Sequence, residues 1–94
     1  MDFESIVGKA KDGLEVACKK AEETARISKL KFDIATVKNK ISKAYEALGK
    51  LYYEATVKGE APDETYTTPI MQDIASKKEE IKRLNKKISE IKGE

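Results

Sequence analysis

The sequence predicts an all-α protein, a long N-terminal helix with a shorter C-terminal helix packed antiparallel against it. Three observations carry that prediction. Ile27, Leu30, Ile34, Val37, Ile41, Ala44, Leu48, Leu51 and Ala55 recur at steps of three and four with no proline among them, the spacing that lays one stripe along a helix. Ile70, Ile74, Lys77, Ile81, Leu84, Ile88 and Ile91 repeat the pattern. Between the two runs lie Gly59 and Pro62, the residues that end helices and turn chains.

Ninety-four residues fit one domain, spanning 1–94. The chain is 38% charged and 39% hydrophobic; so much charge arranged around regular apolar stripes reads as a coiled coil or bundle, since a disordered chain lacks the stripes. A core built from so few apolar residues is thin, and association with a second molecule would help it.

The first segment, residues 2–26, has its own stripe of Phe3, Val7, Ala10, Leu14, Ala17, Ala21 and Ala25, with Asp2 as the expected N-cap. Alanine lets helices approach closely but buries little area, so this is expected to be the least stable part of the chain. Continued forward, the stripe reaches Ser28 and Phe32, and at ~100° per residue Phe32 points roughly 140° away from Ile27. The run Thr24-Ala25-Arg26-Ile27-Ser28-Lys29 holds neither Gly nor Pro, so one continuous helix is expected from Asp2 to Lys58. The alternative is a bend near residues 24–28 that folds the first segment back into a three-helix bundle.

Residues 27–58 form the core heptad segment, closed by Gly59. Residues 59–68 read as the loop. Thr68 followed by Pro69 reads as a hydroxyl cap and a first helical residue, giving an antiparallel helix over 69–92 with a frayed end at Gly93. Pairing outward from that loop places Ile74 near Leu51 and Tyr52, Ile81 near Ala44 and Leu48, and Ile88 near Val37 and Ile41. The intramolecular seam is then Ile27, Leu30, Ile34, Val37, Ile41, Leu48 and Leu51 against Ile74, Lys77, Ile81, Leu84 and Ile88, with Ile27 and Leu30 left uncovered.

No residue pattern points to catalysis. Histidine is absent and Cys18 is the one cysteine, which removes the commonest general base and any paired-cysteine metal site. Phosphate-loop, calcium-loop and nucleophile-elbow spacings are missing as well. The expectation is therefore no enzyme, no cofactor and no small-molecule substrate. Lys77 interrupts the seam; its stem is expected to pack while its ammonium reaches past the helix edge, near Glu54 and the Tyr45 and Tyr52 hydroxyls. The opening Met-Asp-Phe-Glu has no basic start or apolar block of a secretory signal, and the expected location is the cytoplasm.

Charge is segregated along the chain. Residues 29–50 hold six lysines against Asp33 and Glu46, and residues 77–92 hold seven basic residues against three acids, a net +4 in each. Residues 51–66 carry a net −3. The open end of the hairpin is therefore basic, and an anionic surface is the alternative partner class. A membrane would use Phe3, Ile6, Val7 and Leu14 with their flanking lysines. Nucleic acid is disfavoured, because the basic runs hold few interleaved aromatics, Phe32 and Tyr45, and the arginines are Arg26 and Arg83 alone.

The opening Met1-Asp2-Phe3 with Val7-Gly8-Lys9, and above all Ile41 through Tyr53 (ISKAYEALGKLYY), resemble the helical N-terminal region of small bacterial proteins that carry a zinc ribbon after a coiled coil. In that family a long helix is followed by an acidic loop and a Lys/Glu-rich helix. No Cys-x-x-Cys pair stands in this sequence, so no metal function carries over. The resemblance implies a helical spacer or assembly module. The leading expectation is a non-catalytic interaction module that forms a homo-oligomer or binds a protein partner through Phe3, Val7, Ala10, Leu14, Ala17, Ala21, Ala25 and Phe32.

Overall fold

The computed structural model describes the backbone of residues 3–94 and the side chains of residues 13–94. Helix α1 spans Phe3–Val57 without a break and α2 spans Glu64–Lys92. The three-helix alternative is not adopted: Thr24–Lys29 stays helical, as a stretch with no Gly or Pro should. Asp2 lies outside the described residues. A rod 86 Å long and 16 by 15 Å across results, its length set by α1 at about 1.5 Å per residue.

Gly59, at φ +73°, ends α1. Its N–H donates to the Thr56 carbonyl at 3.0 Å and the Glu60 N–H to the Ala55 carbonyl at 2.9 Å, the paired bonds of a Schellman cap. Gly93 repeats the device, with its N–H on Glu90 and the Glu94 N–H on Ser89 at 2.9 Å. The end of α2 is therefore capped where fraying was expected.

The start of α2 overturns the sequence expectation. Thr68 and Pro69 do not cap and open the helix; Asp63 does, in extended backbone, accepting the Thr65 N–H on its carboxylate at 2.9 Å. Glu64 in the first turn suits the positive end of the helix dipole. Pro69 becomes the sixth helical residue, and what it removes is the bond to the Thr65 carbonyl. Both residues are exposed, so water can satisfy that oxygen.

Beginning five residues early has a consequence for pairing. Each later residue of α2 slides about 7.5 Å along α1, away from the connection. Ile88 thereby shares a groove with Ile34, and Ile91 shares one with Leu30 and Arg26. Ile27 and Leu30 are half-buried, not uncovered. The core comprises the buried Val37, Ile41 and Ile74, with Ala44, Ile70, Ile81 and Leu84 packed against it. Thr67, only 4% exposed, extends the same stripe by three residues towards the connection.

Candidate interaction surfaces

The expected seam residues are all buried or half-buried: Ile34, Val37, Ile41, Ile74 and Ile88 are buried, and Ile27, Leu30, Leu48, Leu51, Lys77, Ile81 and Leu84 half-buried. Stepping back from Ile27 along this face gives Glu23, Lys20 and Val16. The seam turns charged there, and α2 ends there, its Glu90 and Ile91 lying beside Glu23 and Arg26. Residues 3–22 of α1 thus extend about 30 Å beyond α2 as a lone helix.

Lys77 reaches out of the seam as expected, its side chain 22% exposed, but its partner is its own-helix neighbour Asp73. Glu54 and the tyrosine hydroxyls do not bond it. An exposed i,i+4 pair contributes at most about 0.5 kcal/mol, less than an apolar side chain gains by burial there. Lys77→Leu should therefore stabilise the hairpin by about 1 kcal/mol in a urea melt; a loss of stability would show that the ammonium holds more than Asp73.

The second stripe lies on the other side of α1. Leu14, Ala17, Ala21, Ala25 and Phe32 are all exposed, Leu14 at 67% and Phe32 at 71%. Phe3, Val7 and Ala10 fall outside the residues whose side chains are described. Phe32 stands on the helix face opposite Ile34 and Ile41, since ~100° per residue separates them by about half a turn. Because α2 occupies the Ile34 face, nothing in the hairpin covers Phe32.

Other features carry less. Cys18 is exposed on the lone helix. Among the described residues no three His, Cys, Asp or Glu side chains come together as a metal site would need, and no helix is long and apolar enough to cross a membrane. Tyr53, Val57 and Tyr66 are exposed near the connection, and Tyr45 and Tyr52 are half exposed.

The two edges of the hairpin seam differ in charge, which no linear reading shows. On one edge α1 presents Arg26, Asp33, Lys40 and Glu54 at steps of seven or fourteen, and α2 presents Asp73, Glu80 and Lys87. Acids and bases are mixed there, two of each on α1 and two acids with one base on α2. On the other edge α1 presents Lys31, Lys38, Tyr45 and Tyr52, and α2 presents Met71, Lys78, Asn85 and Lys92, with no carboxylate. Two observations fix the pairing across this edge. Lys31, Lys38, Asn85 and Lys92 line one groove of about 390 Å³, and the Lys78 ammonium sits 5.5 Å from the centre of the Tyr45 ring, within cation–π range.

Comparison with protein-family models, curated proteins and solved structures finds no match. The surfaces themselves are what bear on function.

Proposed function

We propose that the chain is a non-catalytic helical assembly module that self-associates through the Leu14–Phe32 face of α1, with Phe3, Val7 and Ala10 continuing the contact. The observation that supports this most is Phe32, a large ring 71% exposed on the face that α2 leaves free. The lone helix gives a second reason. About twenty residues of unsupported helix, interrupted by Gly8 and Gly13, are marginal in water. A partner that buries Leu14 and Phe32 supplies about 1.5–3 kcal/mol for each side chain, while the alanines add closeness of approach.

A second copy is the occupant that fits best, because a two-fold contact buries Phe32 and Leu14 twice over. The sum, about 6–12 kcal/mol for two copies, is of the same order as the cost of association. The assembly is therefore concentration dependent, and its test is the molar mass in solution. A hairpin that keeps its own seam whether alone or assembled suits a spacer or scaffold, placed in the cytoplasm as the sequence leads one to expect.

A further inference from the structure

We propose that the lysine edge of the hairpin binds single-stranded nucleic acid. This goes beyond self-association and uses a different face. Lys31 and Lys38 on α1 are one heptad apart, about 10.5 Å, and share their groove with Lys92 and Asn85 of α2. Lys78 continues the line one heptad from Asn85, held over Tyr45. Four lysines thus follow a straight path along the rod with no carboxylate among the positions that flank it. In the antiparallel hairpin such an edge brings like charges together, a self-repulsion the other edge lessens by mixing acids with bases. A polyanion laid in the groove relieves it.

The aromatic residues select the kind of polyanion. Tyr45 and Tyr52 lie on the same edge, 48% and 47% exposed, with Gly49 between them at helical spacing. A Cβ built on Gly49 would meet no atom within 4 Å, so no packing inside the hairpin requires the glycine there, and it leaves bare backbone between two flat rings. Lysines that track a phosphate backbone beside rings on which bases stack are the parts of a single-strand site. Tyr45 and Lys78 lie 33 residues apart in the sequence and meet only across the seam. A duplex fits less well: its bases are stacked inside the double helix and leave Tyr45 and Tyr52 nothing to stack on. A membrane would want apolar side chains to insert, and Met71 is the sole aliphatic one projecting at the exposed end of this edge.

The test is fluorescence anisotropy of a labelled oligothymidylate about 20 nucleotides long, titrated with the full chain from about 50 mM salt upward. Four phosphate contacts give a log–log salt slope of about −3. Replacing Lys31, Lys38, Lys78 and Lys92 together by glutamine should weaken binding at least about tenfold. Replacing Lys29, Lys43, Lys50 and Lys87 changes net charge equally and should leave affinity within about threefold. Glutamine keeps helix propensity close to that of lysine, and circular dichroism verifies that both variants stay folded. Quenching of tyrosine fluorescence in the unmodified chain reads the stacking independently of any substitution. Absence of saturable binding at low salt, equal weakening by both variants, or binding to phosphatidylserine vesicles but not to the oligonucleotide would overturn the proposal.

Discussion

Ile41→Ala is expected to destabilise the hairpin by about 2–4 kcal/mol, lowering the urea midpoint by about 1–2 M at a slope typical of a small protein. Ile41 is 8% exposed and packs among Val37, Ala44, Ile74 and Ile81. Among the described residues five apolar side chains are buried, so each carries a large share of a total that for small domains is about 5 kcal/mol. The two helices touch along a single line and have no third layer to settle into the space, so the cavity stays. Ser42→Ala next door, at an exposed position, should shift stability by less than about 0.5 kcal/mol. An Ile41→Ala loss that small would place the core elsewhere.

Phe32→Glu is expected to dissociate the assembly and leave the hairpin folded. A ring 71% exposed in the isolated chain contributes little to the seam, so helicity measured by circular dichroism should hold. In the assembled state each copy loses about 1.5–3 kcal/mol of burial and places a carboxylate in an apolar contact. Counted for two copies, that weakens association by roughly 100-fold or more. Sedimentation velocity reads the change directly. An unchanged mass, or loss of helix in the monomer, would show that Phe32 does something other than join copies.

Much of the fold was legible in the sequence because a helix writes its buried face as a period. The run from Ile27 to Ala55 and its partner from Ile70 to Ile91 have one means of burial open to them, each other. Gly59 was equally plain, since the positive φ at the end of a helix selects glycine.

What misled was a start signal of the wrong rank. Thr68-Pro69 resembles a helix opening, yet Pro62-Asp63-Glu64 offers one at least as good, with a carboxylate cap and an acid in the first turn. The stripe itself held the clue: three residues before Ile70 stands Thr67, which the structure buries at 4% exposure. Moving that boundary moves the register of every α2 residue, and with it the account of Ile27 and Leu30.

The candidate surfaces were legible to different degrees. Phe32 announced itself by falling off the main stripe, a property of one helix. The lysine edge depends on which α2 residues face Lys31, Lys38 and Tyr45, a property of two helices and their register. Charge counted along the chain merged the edge with the mixed one behind it, and so showed a basic end but not which side of it carries lysines alone. Lys77 belongs to the same class of error: Asp73 sits four residues before it in sequence, a nearer partner than any across the seam.

The central claim is that the free stripe of α1 joins one copy to another, and molar mass tests it most directly. Light scattering across a concentration series from micromolar upward should give a mass rising from that of the 10.5 kDa chain to an integral multiple of it, with Phe32→Glu held at the lower value. A strict 10.5 kDa monomer at every concentration would contradict it.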